Sequence, residues 1–184
     1  VLMALSASIF KTNVQLSDMD RQHYATYSLT MARHPSETDE RMMARLIAFM
    51  RYADERLVFT KGLSEAEEPD LWIKDLTGQT DLWIEVGAPT VRRIVSKSRQ
   101  ARKIVVFGYG RNAGLWWKKS KADLEKIPNL EVVVLPAEMT EAISRQVERS
   151  MEWQCLIQDS QMSLIGKNGN FELDIQACTR QAIE

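Results

Sequence analysis

Asp70-Leu71-Trp72-Ile73-Lys74-Asp75-Leu76-Thr77-Gly78-Gln79-Thr80-Asp81-Leu82-Trp83-Ile84-Glu85-Val86-Gly87 is the stretch from which the fold can be read. Two short runs rich in strand formers flank Gly78-Gln79, and Trp72 and Ile73 are answered by Trp83 and Ile84, the pattern of a β-hairpin. A turn at Gly78-Gln79 sets Asp70 across from the 85–87 end of the partner strand, so Asp70 and Glu85 meet at one end of a sheet. The same pairing is expected to place Lys74 across from Trp83, one step from Glu85. Two carboxylates so placed are what Mg²⁺ or Mn²⁺ asks of a protein, because such an ion takes one or two carboxylates and fills its octahedron with water and substrate phosphate.

Beyond Gly87 the pattern changes to alternating helices and strands: helix 90–101, strand 103–108, helix 112–122, strand 130–135 and helix 137–148. Alternation of this kind signals βαβ crossovers onto a partly parallel sheet. Upstream, 5–16 and 24–32 read as a hairpin joined through Ser17-Asp18-Met19-Asp20. Pro35-Ser36 then opens a helix with Ser36 as N-cap and Glu37, Asp39 and Glu40 in its first turn, where the helix dipole favours acids. Met43, Leu46, Ile47, Met50, Ala53 and Leu57 follow at helical spacing as a core stripe. Downstream, 151–157, 162–165 and 171–175 read as an antiparallel meander around Lys167-Asn168-Gly169. The expected fold is α/β (α+β): a mixed central sheet flanked by helices, with an N-terminal β-hairpin and a C-terminal antiparallel meander, in one domain over 1–184. The longest connection, 61–69, is acidic and reads as a mobile loop.

A chain of 184 residues that is 45% hydrophobic is long enough to bury a sizeable core. Its longest apolar runs, such as 104–107 and 132–135, fall far short of the ~20 residues a membrane-spanning helix needs. Val1 and Leu2 ahead of Met3 read as additions to the natural start, and the amino end has no basic stretch leading into an apolar signal segment. Cys155 and Cys178 are too few for a disulfide framework or a thiolate metal cluster, and a cytoplasmic protein with reduced thiols is expected. No G-x-x-x-x-G-K loop occurs, which excludes P-loop nucleotide hydrolysis. His34, ahead of a Pro and a helix start, reads as a hydrogen-bonding turn residue.

The net charge of −1 hides a division. Residues 1–85 carry 14 acids and 9 bases, residues 86–122 carry 10 bases and no acid, and residues 123–184 carry 11 acids and 5 bases. The central bases, among them Arg92, Arg93, Lys97, Arg99, Arg102, Lys103, Lys118 and Lys119, are interleaved with Tyr109, Trp116 and Trp117. Cations among aromatics are what a polyanion site uses, phosphates held electrostatically and bases stacked on rings. The other reading of the same segment is a pair of solvated helix faces balanced by acidic neighbours.

The spacing Pro69-Asp70, fourteen residues, Glu85-Val86-Gly87 resembles the PD-(D/E)XK phosphodiesterase superfamily. Further stretches make the resemblance more definite: Arg33-His34-Pro35-Ser36-Glu37-Thr38 with Arg41-Met42-Met43, Tyr52-Ala53-Asp54-Glu55-Arg56-Leu57, Trp83-Ile84-Glu85-Val86-Gly87 with Pro89, and Trp116-Trp117. On these the chain resembles the bacterial YaeQ family over nearly its whole length. The resemblance implies a PD-(D/E)XK nuclease-like core with Asp70 and Glu85 as metal ligands. It also implies an accessory acid from an early helix, for which Glu40, three residues before core-facing Met43, is preferred over Glu37 on the solvent side.

The superfamily's catalytic Lys, expected two residues after the Glu, is Gly87 here. That Lys activates water and stabilises phosphorane charge, so its place is taken by Arg93 or Lys97, at i and i+4 of the next helix, or by Lys74 across the hairpin, or stays empty. Two functions follow. One is a Mg²⁺-dependent phosphodiesterase acting on nucleic acid. The other is a nuclease-like fold that grips nucleic acid or an acidic protein through its basic segment without cutting.

Overall fold

The structure, a computed structural model, describes residues 6–61, 63 and 65–179. The expectations placed on residues 1–5, Gly62 and Ser64 therefore lie outside the described residues. In chain order the elements are β1 (Ser8–Asp18), β2 (His23–Arg33), α1 (Asp39–Arg51), β3 (Val58–Phe59), β4 (Leu71–Lys74), β5 (Thr80–Val86), α2 (Val91–Ser98), β6 (Ala101–Gly108), α3 (Ala113–Leu124), β7 (Leu130–Val134), α4 (Ala137–Ser144), β8 (Ser150–Gln158), β9 (Gln161–Gly166) and β10 (Gly169–Asp174). The mixed α+β class expected from the alternation is what folds.

The architecture differs from the expectation in one respect: there are two five-stranded sheets. The first has the order β10-β9-β8-β1-β2 and the second β3-β4-β5-β6-β7. The N-terminal hairpin and the C-terminal meander are not separate appendages, because β1 pairs with β8 in parallel, Val14 lying beside Trp153. In the second sheet the hairpin β4–β5 pairs Trp72 with Trp83, and β5, β6 and β7 run parallel as the crossover pattern requires. Trp83 pairs with Trp72, so Lys74 does not lie across from it, and a bulge between Ile73 and Lys74 sets Lys74 beside Thr80. Its ammonium lies 3.8 Å from the Trp72 ring centroid, away from Glu85.

Strand alternation divides the apolar residues between two cores. Leu82, Ile84, Val86, Val105, Phe107 and Val133 face α1 and the first sheet, whereas Trp83, Ile104, Val106 and Val132 face the α2/α3 side. Nine consecutive residues of α1, Met42 to Met50, are buried, so this helix is enclosed between the two sheets and has no solvent stripe. Helices α2 and α3 form the outer layer of the second sheet, and only Ile94, Lys97, Ala113 and Leu124 of them are buried. Among the described residues no helix is long and apolar enough to cross a membrane.

Candidate functional site

The hairpin register does bring Asp70 and Glu85 to one end of the second sheet. Leu71 pairs with Ile84, the Asp70 amide donates to the Ile84 carbonyl at 2.9 Å, and both carboxylates are nearly buried. They border one cavity of about 480 Å³, which Arg41, Gly87, Arg93 and Tyr109 also line.

The two carboxylates serve opposite layers. Asp70 accepts from the Arg41 guanidinium of α1 at 2.7 Å and from the Val86 amide at 2.7 Å. Glu85 accepts from Arg93 of α2 at 2.7 Å and from the Trp83 indole at 2.9 Å, all through Oε1. Both guanidinium groups are anchored elsewhere as well. Arg41 donates to the Val86 carbonyl and pairs with Glu37, and Arg93 donates to the carbonyls of Ala66 and Glu68.

This donor set does not fit a divalent ion bridging Asp70 and Glu85. The charge that a cation would neutralise is already neutralised, and the ion would have to displace two arginines that are each held by further bonds. Among the described residues no group of three or more His, Cys, Asp and Glu converges as metal ligands do.

Of the two cations considered for the place beside Gly87, Arg93 pairs with Glu85 at 2.7 Å. Lys97 does not accompany it. Its ammonium pairs with Glu67 at 2.7 Å and lies 5.1 Å from the Trp83 ring centroid. Arg93 and Lys97 thereby tie residues 66–68 of the 61–69 connection to α2. Gly87 itself has a φ of +125°, and its amide donates to the Phe107 carbonyl.

The burial of the acids at the start of α1 is the reverse of that expected. The N-cap is Thr38, whose hydroxyl accepts from the Arg41 amide at 3.1 Å, whereas the Ser36 hydroxyl is bonded to His34 Nδ1 at 2.6 Å. His34 thus has the turn role expected of it. With the helix starting later, Glu37 precedes it and folds back to Arg45 at 2.6 Å and Arg41 at 3.3 Å, becoming buried. Glu40 instead accepts from the Thr140 hydroxyl of α4 at 2.8 Å. Sequence reasoning missed Arg41 and Arg45 as site residues and placed Glu37 on the solvent side. The i, i+4 spacing of Arg41 and Arg45 was the available signal, since it stacks the two bases on one face of α1.

Glu65, Glu68 and Tyr109 also line the cavity, and the Tyr109 phenol is pushed above its ordinary range by burial, against the opposing pull of Arg41. Away from the cavity, at the other end of α1, Tyr52 donates to Glu131, which also pairs with Lys103 at 2.8 Å.

The ten central bases divide cleanly. Arg93, Lys97, Arg102, Lys103, Arg111 and Lys121 each have a carboxylate within ion-pair distance, with Arg102 bridging Asp75 and Asp81. Arg102 and Lys103 thus already have carboxylate partners at the surface. Arg92, Arg99, Lys118 and Lys119 are exposed and have no ion pair among the described residues. The interleaved aromatics are not an open stacking platform either. Trp116 donates to the Pro89 carbonyl at 3.0 Å, Trp116 and Trp117 pack on the core beneath α3, and Tyr109 packs on the other core.

Comparison with known proteins agrees with the sequence resemblance. The model of the family described as YaeQ protein matches residues 3–175. The relatives from Escherichia coli (strain K12) and Salmonella typhi, each described as an uncharacterized protein YaeQ, are 42% identical over 176 residues, covering 95% of this chain and 97% of theirs. The crystal structure of YaeQ protein from Xanthomonas axonopodis pv. citri superposes with a TM-score of 0.92 at 42% identity, covering 95% of this chain and 99% of that one. That of Pseudomonas syringae gives 0.90 at 31% identity, covering 95% and 97%. With a family model spanning almost all of its length and relatives this similar end to end, the chain belongs to the YaeQ family.

Proposed function

We propose that the protein is a nucleic-acid-binding module that grips its ligand on the outer α2/α3 layer and does not cut it. The observation that carries this reading is the set Arg92, Arg99, Lys118 and Lys119. These four exposed cations lack carboxylate partners among the described residues and sit on α2, at its C-cap and on α3, in a stretch with no acid between residues 86 and 122. Unpaired cations keep their full attraction for phosphates and release condensed counterions when they bind them. Paired ones such as Arg102 would first have to break an existing contact. The claim that nothing is cut is supported by the arginine clamps on Asp70 and Glu85 and by the missing side chain at Gly87.

The test is fluorescence anisotropy of labelled single- and double-stranded DNA and RNA across a salt series, with Mg²⁺ present and the oligonucleotides checked for cleavage afterwards. If all four cations engage duplex DNA, log K should fall with log salt at a slope of about −3.6, and Arg99→Glu with Lys118→Glu should bring it to roughly half. Absence of binding at low salt to every one of these nucleic acids overturns the proposal. Cleavage that Asp70→Asn or Glu85→Gln abolishes overturns it in favour of the metal-dependent phosphodiesterase.

A further inference from the structure

The free edges of the two sheets are not alike. At one end of the second sheet β3 is only two residues long, and at the other β7 is capped by the C-terminal segment, the Cys178 amide donating to the Val132 carbonyl at 2.7 Å. In the first sheet β10 has six residues and ends on Glu172 and Asp174. These are ordinary ways of keeping an edge from pairing with another chain.

The edge strand β2 has none of them. It runs for eleven residues in unbroken register with β1, with no bulge. From Tyr24 to Ala32 it contains no charge, no Pro and no Gly. Among the described residues the backbone of Tyr24 to Met31 has no hydrogen-bond partner outside β1, and at the end of the stretch the Ala32 carbonyl accepts from Arg45 at 3.0 Å. Its outward side chains Tyr24, Thr26, Ser28, Thr30 and Ala32 are all exposed.

We propose that β2 is a self-pairing edge: two copies of this chain join β2 to β2 antiparallel about a two-fold axis at Ser28, extending the first sheet from five strands to ten. A two-fold axis makes a surface meet itself, so the edge must be complementary to its own reversal. Centred on Ser28, the reversal matches Thr26 with Thr30, a favourable cross-strand pair. It also sets large side chains against small ones, Tyr24 opposite Ala32 and Ala25 opposite Met31. No like charges meet within the paired stretch. A foreign strand would need that complementarity supplied from outside, whereas a second copy supplies it by symmetry.

The experiment is sedimentation velocity over a concentration series, with circular dichroism melts to show that each variant folds. The wild type should sediment as two chains, dissociating on dilution. Ser28→Lys sets a charge against its own copy and should give one chain. Thr26→Lys with Thr30→Lys should also give one chain, while Thr26→Lys with Thr30→Glu, which places opposite charges across the axis, should keep two. Gln154→Lys, on the exposed face of β8 away from the edge, should behave as wild type. A single-chain mass for the wild type at every concentration assigns the edge to an extended segment of a different protein and overturns the proposal. A two-chain species unaffected by Ser28→Lys and by the double Lys variant overturns it equally.

Discussion

Replacing Arg41 by Met should be among the most destabilising single changes at the site. The side chain is 12% exposed and its principal partner Asp70 is 7% exposed, so the pair lies largely out of water. Removing one member of a buried ion pair costs about 3–5 kcal/mol, because the remaining charge is left without compensation. Two features hold the cost to the lower end of that range. Asp70 keeps the Val86 amide, and Glu37 keeps Arg45. Met fills most of the aliphatic volume, so no large cavity adds to the loss. About 3 kcal/mol in a chain of this size corresponds to a fall in Tm of roughly 6–12 °C. Urea unfolding at neutral pH should show a lower midpoint with an unchanged slope, meaning that the native state is weakened and the denatured ensemble is not altered. A variant as stable as the wild type, or more stable, would refute the reasoning, since it would mean that Arg41 does not compensate Asp70.

Three further outcomes follow from separate parts of the molecule. Gly87→Lys should cost about 1–2 kcal/mol in urea unfolding although nothing lies within 4 Å of the added Cβ, because the cost comes from the positive φ and not from crowding. Glu131 titrates below the ordinary glutamate value of 4.5: burial works to raise it but is outweighed by the bonds from Lys103 and Tyr52. Its folded value being the lower one, its contribution is present above 4.5 and is lost as the pH falls through the lowered value; Glu131→Gln should flatten the fall in urea midpoint over that range. Burial and the Asp18 carboxylate push the Cys155 thiol up to about 12, while Cys178 is exposed, so a thiol reagent at pH 8 should label only Cys178 in the native protein, as read by peptide mass, and both after unfolding.

What could be read from the sequence was local. The Trp72/Trp83 match, the Gly78 turn and the alternation after Gly87 each lie within a few dozen residues, so the hairpin and the parallel β5-β6-β7 order were legible. The pairing of β1 with β8 was not, because β1 has two edges and its second partner is some 140 residues away. The two carboxylates were legible because register alone brings them together. Their arginine partners were harder to find, since Arg41 arrives on a helix that register does not place. The exchange of Glu40 for Glu37 follows from a helix start two residues later than expected, which rotates the first turn. Charge composition identified the basic segment correctly but could not show that six of its ten cations already have carboxylate partners, five of them in other parts of the fold, Asp75, Asp81 and Glu131 among them.

The central claim is that a nucleic acid lies on the α2/α3 layer and leaves the carboxylate pair closed. Two-dimensional ¹H–¹⁵N spectra recorded during titration with a short oligonucleotide test it residue by residue. The largest amide shifts should fall in α2 and α3, around Arg92, Arg99, Lys118 and Lys119, with the Arg93 and Arg41 side-chain signals unmoved. Shifts centred on Asp70, Glu85 and Gly87 with α2 and α3 silent, or no shifts at low salt, would contradict it.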